Sequence, residues 1–359
     1  MTNLIKERIL QLQSILKDNE AFLISGNSNR FYLTGFSSSA GTVVITNKKA
    51  VFFIDFRYFE KAKATVNSCD VVLYTKYDED ILKFLSEQKI NTILVECTDT
   101  TLSRYRALQN SFKEFKISDD DKLDVKLNEM RAVKVQSELE CIKQAQALTD
   151  QTFDYILTRI STDRTEREIM LDMEFFMRRL GANGVAFDFI VVSGKNSSLP
   201  HGVPTDKKIQ KGDFITMDFG ARVNGYCSDM TRTIAVGSIT DEQKIVYDTT
   251  LKAQLEALKA IKAGAVCGDV DKIARDIIYN AGYKGCFGHS LGHSVGIDIH
   301  ESPNLSPNNT AVLQAGNIVT VEPGIYLENR FGVRIEDMVY VTDKGYINLT
   351  QSTKELIVL

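Results

Sequence analysis

The sequence has 359 residues, 43% of them hydrophobic and 25% charged, and carries a formal net charge of −4. That balance suits a globular chain of about two domains; no apolar run approaches the roughly 18 residues of a membrane span, and no basic tract argues for nucleic acid as a partner. The six cysteines are scattered without a CxxC pair, and the amphipathic start MTNLIKERILQLQ lacks the apolar stretch of a signal peptide, so the expected location is cytoplasmic.

Residues 1–125 alternate short helical and strand patterns. A helix is expected over 2–17, a strand at 21–25, a hairpin over 42–55 turning at Asn47-Lys48-Lys49, and strands at 71–74 and 92–95. This reads as a small α/β domain. The cluster SNRFYLTGF (28–36) reads as loop and core. Residues 115–135 are charged but contain no Gly or Pro, which suggests a packed connection and not a free tether. The expected division is therefore 1–125 and 131–359.

In the second part, Ser137-Glu138-Leu139-Glu140 fits a capping box, and apolar residues follow at helical spacing. Thr165–Glu168 fits a second box, with that helix stopping at Gly181. Strands are expected at 188–193 and 213–236. Thr240–Gln243 then opens a helix ending near Gly264, and Asp269 opens another ending near Gly282. Strands return at 317–327 and 332–341. Helix, helix, sheet thus occurs twice, which suggests two similar halves.

Chemistry-bearing residues concentrate here. All four histidines lie between 201 and 300, and all five prolines between 200 and 323. In FITMDFGARVNGYCSDMTRTIAV (214–236), Asn224-Gly225 is a favoured two-residue hairpin turn. That turn sets Val223 opposite Tyr226 and Asp218 opposite Thr231. Asp229, two residues from Thr231, then shares a face with Asp218, roughly 7 Å away across the strands. Like charges so placed are costly in a core, and divalent cations between them would remove the cost. The alternative is that both acids face solvent, although the apolar flanks favour a buried sheet.

In GHSLGHSVGIDIHESP (288–303), closely spaced glycines disfavour a helix and permit backbone approach around His289, His293 and His300. In NIVTVEPGIYLENRFGVRIEDMVYV (317–341), Glu322 precedes Pro-Gly, and Arg334 and Glu336 share a strand face. There a structural Arg334–Glu336 pair competes with a metal-binding role. His201 sits between two prolines ahead of the carboxylate hairpin. An oxygen-rich set with one imidazole suits Mn, Co, Zn or Fe better than a thiolate zinc site.

The ordered motifs LPHG, DFGARVNGYCSDMTRT, GHSLGHSVGIDIHESP, VEPGIY and GVRIED resemble the metallopeptidase family with the pita-bread fold, which includes aminopeptidase P, prolidase and methionine aminopeptidase. The resemblance implies an α/β (α+β) chain, a pita-bread catalytic domain with pseudo-twofold halves, and two divalent cations, manganese first. It implies Asp218, Asp229, His293, Glu322 and Glu336 as ligands, with Glu322 also as general base. His201 and His300 would stabilise the oxyanion and orient the peptide, His289 and Arg334 would line the substrate side, and Thr231 would hydrogen-bond a ligand carboxylate. Tyr326 is a weaker candidate for the wall of the site. The segments NRFYLTGF and IDFRYFEKA resemble the creatinase-like N-terminal domain of the proline-directed members. The implied substrates are peptides with proline in second position, and the implied assembly is a homodimer or homotetramer. Aminopeptidase P is the first reading and prolidase the alternative. A non-catalytic binding module is a distant third, since all five ligand positions are intact.

Overall fold

The computed structural model describes residues 2–359, with side chains from Leu4 onward. The chain folds as two units, one up to Arg131 and the other Ala132–Leu359. The first unit runs α1 (Thr2–Gln13), β1 (Glu20–Ile24), α2 (Asn27–Thr34), β2 (Thr42–Thr46), β3 (Ala50–Ile54), α3 (Phe56–Thr65), β4 (Asp70–Leu73), α4 (Tyr77–Glu87), β5 (Thr92–Val95), α5 (Leu102–Ser111), β6 (Lys116–Ser118) and α6 (Lys122–Ala132). Its six strands form one mixed sheet in the order β4-β3-β2-β1-β5-β6. The β2–β3 hairpin turns where expected, pairing Ile45 with Ala50.

Three expectations for this unit need correction. SNRFYLTGF is mainly a helix, α2, closed by Gly35 in the left-handed region (φ 69°). It is anchored by the buried Glu96 carboxylate, which accepts from Ser25 N, Gly26 N and Asn29 Nδ2. The charged stretch taken as a connection contains β6 and α6, and α6 buries Leu123 and Leu127. Helix α1 also stops at Gln13, short of the expected 17.

The second unit begins with α7 (Gln136–Leu157), α8 (Glu166–Arg179), β7 (Gly184–Val185) and β8 (Ile190–Ser193). Strands β9 (Phe214–Phe219), β10 (Ala221–Val223), β11 (Tyr226–Cys227) and β12 (Met230–Ala235) follow. Then come α9 (Asp241–Ala260), α10 (Cys267–Ile278), β13 (Gly292–Ser294), β14 (Glu301–Leu305), β15 (Ile318–Val321), β16 (Gly324–Leu327), β17 (Phe331–Arg334), β18 (Asp337–Thr342) and β19 (Gly345–Asn348). Helix pair and antiparallel strands thus occur twice, and each round has its own core. Ile169, Met173 and Met177, one face of α8, pack with Val191, Met217 and Ile234. Val270, Ala274 and Ile278 of α10 pack with Val319, Val333 and Val339.

Helix starts follow local chemistry. Thr165 and Thr240 each cap their helix through the backbone of the third residue, with Glu168 and Gln243 closing the box. The box expected at Ser137 does not form there. Helix α7 starts at Gln136, and Glu138 accepts from Val135 N at 2.9 Å, so the chain enters the helix two residues earlier. Helix α10 likewise starts at Cys267 and not at Asp269.

Candidate metal centre

The Asn224-Gly225 turn has positive φ at both positions (50° and 86°), and the strands pair in the register that turn dictates. Val223 faces Tyr226, and Asp218 faces Thr231. Only glycine fits at 220, since a Cβ there would lie 1.9 Å from the Ser228 carbonyl oxygen. Asp218 and Asp229 are both buried, at 9% and 4% exposure, which removes the solvent-facing alternative.

The remaining acids and the histidine arrive from the second round of strands, β13 to β18. His293 lies on β13, where Gly292 passes so close to Thr320 that a Cβ would meet its carbonyl oxygen at 2.0 Å. Thr320 organises both neighbours. Its hydroxyl accepts from His293 N at 3.1 Å and donates to Glu322 Oε1 at 3.1 Å. Glu336, between β17 and β18, accepts from the Thr231 hydroxyl at 2.8 Å and donates its own N–H to the Thr231 carbonyl. Arg334 pairs with Asp218 at 2.6 Å rather than with Glu336. Sequence reasoning missed Thr320, for which an alternating apolar strand carries no distinguishing signal.

Three electrostatic features set this cluster apart. The His293 ring nitrogens are 3.5 Å from Asp229 Oδ2 and 3.4 Å from Glu322 Oε1 on the Nε2 side, and 3.1 Å from the Ser294 carbonyl on the Nδ1 side. A carbonyl only accepts, so Nδ1 carries the hydrogen and the Nε2 lone pair faces two carboxylate oxygens. Burial and the neighbouring His300 hold His293 down to about 4, so the ring itself does not take up a proton near neutral pH. Second, burial and mutual repulsion push Asp229 and Glu336 well above the usual carboxylate range, and burial lifts Glu322 to about 8. Third, Asp218 Oδ1 is buried without a hydrogen-bond partner. One donor atom each from Asp229, His293 and Glu336 lie within 4.8 Å of one another. Converging lone pairs and mutually repelling buried acids are what a divalent cation stabilises, so the donor set fits such an ion.

Around the cluster runs a relay of hydrogen bonds. Arg334 donates through Nη2 to Asp218, through Nε to the Thr231 hydroxyl, and through Nη1 to the Pro200 carbonyl and the Tyr326 hydroxyl. Tyr326 donates to His289 Nε2 at 2.8 Å, and His289 Nδ1 donates to the Ser290 carbonyl. Burial holds His289 down to about 4, which keeps it neutral. The Tyr326 hydroxyl thus links Arg334 to His289, the two residues expected on the substrate side.

His201 and His300 are exposed. The His300 ring meets His293 edge-on at 4.4 Å, and His201 is near enough to disfavour protonation of His289. The loop carrying His201 is fixed by the buried Glu166. Its carboxylate accepts from Ser193 N and Oγ and Asn196 Nδ2 on one side and from Thr205 N and Oγ1 on the other. Sequence reasoning assigned Glu166 only to a helix start, because its partners lie 27–39 residues away.

Comparison with known proteins agrees with this architecture. The chain matches the creatinase/prolidase N-terminal domain over residues 8–133 and metallopeptidase family M24 over residues 140–343. It is 36% identical to an Xaa-Pro dipeptidase of Pyrococcus furiosus, covering 98% of this chain and 100% of that one. A solved Xaa-Pro dipeptidase from Bacillus anthracis superposes with a TM-score of 0.94 at 40% identity, covering 99% and 100% of the two chains. An X-Pro aminopeptidase from Thermotoga maritima superposes at 0.89 with 36% identity, covering 99% of each. The chain belongs to metallopeptidase family M24, in its Xaa-Pro peptidase branch with a creatinase-like N-terminal domain.

Proposed function

We propose that this metallopeptidase is an Xaa-Pro dipeptidase, cleaving the bond between a first residue and a following proline, with Asp218, Asp229, His293, Glu322 and Glu336 holding two divalent cations. The observation that carries the site is the His293 Nε2 lone pair facing Asp229 and Glu322 oxygens at 3.4–3.5 Å. The aminopeptidase P reading preferred from the motifs yields to the dipeptidase reading, which the full-length likeness to the archaeal and Bacillus dipeptidases supports better. The Thermotoga aminopeptidase keeps the longer-peptide activity as the second reading.

Divalent cations bound there supply Lewis acidity, polarising the scissile carbonyl and acidifying water at neutral pH. Asp218, Asp229 and Glu336 contribute the negative charge that binds them. Glu322 takes the proton of the attacking water and delivers it to the departing proline nitrogen. His201 and His300, exposed at the rim, orient the peptide and donate to the developing oxyanion. His289 and Arg334 line the substrate side. Because Arg334 also donates to Asp218, Thr231, Pro200 and Tyr326, the same residue holds Asp218 in place. Thr231 fixes the Glu336 carboxylate. Manganese is the first cation to test, and the assembly expected from the resemblance is a homodimer or homotetramer.

The deciding experiment is hydrolysis of Ala-Pro, Ala-Pro-Ala and longer Ala-Pro peptides by the manganese-loaded protein. Cleavage confined to the dipeptide supports the proposal. Comparable kcat/KM on the tripeptide replaces it with the aminopeptidase reading.

A further inference from the structure

Arg232 follows Thr231 on β12 and points to the opposite face, away from the carboxylates. It is only 1% exposed. A guanidinium has five N–H donors, and all five are engaged. Nε donates to the Thr353 carbonyl at 2.9 Å, and Nη2 donates to the Ser352 carbonyl at 2.7 Å and to Asp337 Oδ1 at 2.8 Å. Nη1 donates to the Thr231 carbonyl at 2.9 Å and to the Glu336 carbonyl. One cation thus grips the backbone of β12 beside Asp229, the backbone of Glu336, and segment 350–359.

Strands β12 and β18 belong to different sheets, so no continuous ladder fixes their separation. The seam is closed by short contacts. Glu336 N meets the Thr231 carbonyl, Thr233 Oγ1 meets the Arg334 backbone, and Arg232 spans both sides. Asp337 is fully buried and also accepts from Lys354 Nζ at 2.5 Å and Asn348 Nδ2 at 2.8 Å. The segment itself is anchored independently of the site. Asp150 accepts from Ser352 N and Oγ, and Ala235 and Gly237 exchange backbone hydrogen bonds with Ile357 and Leu359.

We infer that Arg232, Asp337 and residues 350–354 form a brace that sets the spacing of Asp229 and Glu336. The affinity of the site for a divalent cation therefore depends on a segment that contributes no donor atom to it. Arg232 and Asp337 are positioning residues. If the segment is loosened, the guanidinium loses two of its carbonyls and the Glu336 backbone is free to move away from β12. The carboxylates then no longer converge on one point. This inference rests on the reading of the cluster as a cation site.

The test is titration calorimetry with Mn2+ on the full chain, alongside thermal unfolding of the metal-free protein, for wild type, Arg232→Lys, Lys354→Met and Asp150→Asn. Lysine keeps the charge at 232 but has three donors from a single point. Lys354→Met and Asp150→Asn, the outer variants, leave the guanidinium in place; the first removes one donor to Asp337 and the second weakens the anchor of Ser352. We expect Mn2+ affinity to weaken by about tenfold in the two outer variants and by about 100-fold in Arg232→Lys. Rescue of the manganese-bound melting temperature should shrink in the same order. If Arg232→Lys does not fold, the outer variants decide. Mn2+ affinities within twofold of wild type, with a lowered metal-free melting temperature, make the network merely structural and overturn the inference. If wild type binds no Mn2+, the cation reading fails and the brace falls with it, an outcome distinct from normal wild-type binding that the variants leave unchanged.

Discussion

Glu322 and His293 face each other across 3.4 Å, yet burial moves them in opposite directions, Glu322 up to about 8 and His293 down to about 4. Each shift disfavours the charged form, and the consequence for stability has a definite sign. A carboxylate raised from its ordinary 4.5 to about 8 stabilises the metal-free fold fully below 4.5, and that contribution is lost as pH rises toward 8. A histidine lowered from 6.5 to about 4 acts oppositely, costing stability as pH falls below 6.5. Above 6.5 only the carboxylates act. The metal-free protein should therefore melt at a lower temperature at pH 8 than at pH 6.5. Added Mn2+ should raise the melting temperature more at pH 8, where fewer protons must leave. Calorimetric scans with and without the cation check both signs; equal melting temperatures at the two pH values without metal would refute the account. The proton-transfer role of Glu322 makes a separate prediction. Glu322→Gln keeps the size and one acceptor but cannot take the proton, so kcat should fall by about 10²–10⁴. A kcat within a few fold of wild type, with manganese bound, would remove Glu322 from that role.

At the scale of the element, the site is a set of strand and loop placements, each with its own support. The loop bearing His201 hangs from one carboxylate, because Glu166 bonds its start at Ser193 and Asn196 and its end at Thr205. Glu166→Gln turns part of that acceptor into a donor facing donors, so stability should drop by about 1–3 kcal/mol. The loop should loosen while the cation donors stay in place. We expect a raised KM for Ala-Pro with Mn2+ affinity unchanged, read from steady-state kinetics and calorimetry. Lost Mn2+ affinity would tie the loop to the cation site instead. The β9–β12 hairpin was legible in the sequence because Asn224-Gly225 sets its own backbone and the period of two carries that register to Asp218 and Thr231. Glu322 and Glu336 were not placed in this way. Each follows the end of a strand, β15 or β17, where alternation lapses and the contacts that hold it come from Thr320 or Thr231. Their place in the site rested on resemblance. Glu166 and Arg232 were illegible for a related reason: a capping position and an alternating strand position look ordinary until distant chain folds onto them. SNRFYLTGF was misread because its helix is short and polar, and its anchor, Glu96, lies some 67–71 residues away.

Over the whole molecule, the two units differ in what cation loss does to them. All five proposed ligands lie in the unit Ala132–Leu359, where Asp218, Asp229 and Glu336 are buried with the local fold and Glu322 is half-buried beside them. The unit up to Arg131 has its own six-stranded sheet and a core of Leu23, Val44, Phe53, Ile93 and Leu108. Its most deeply buried carboxylate, Glu96, is already satisfied by three donors. A cation that binds only the folded site stabilises the structure that holds it, by an amount set by its concentration relative to Kd. Opening of the strands around the site should become easier when the cation is removed, whereas opening within β1 and β5 draws on contacts that do not change. Chelation should therefore speed amide hydrogen exchange in peptides spanning 214–236 and 317–341 well before those spanning 20–24 and 92–95. Hydrogen exchange mass spectrometry on the full chain, with Mn2+ and with chelator, resolves the two groups of peptides. Equal loss of protection in both groups would mean that the units unfold as one cooperative body. Loss confined to the first unit would place the cation elsewhere.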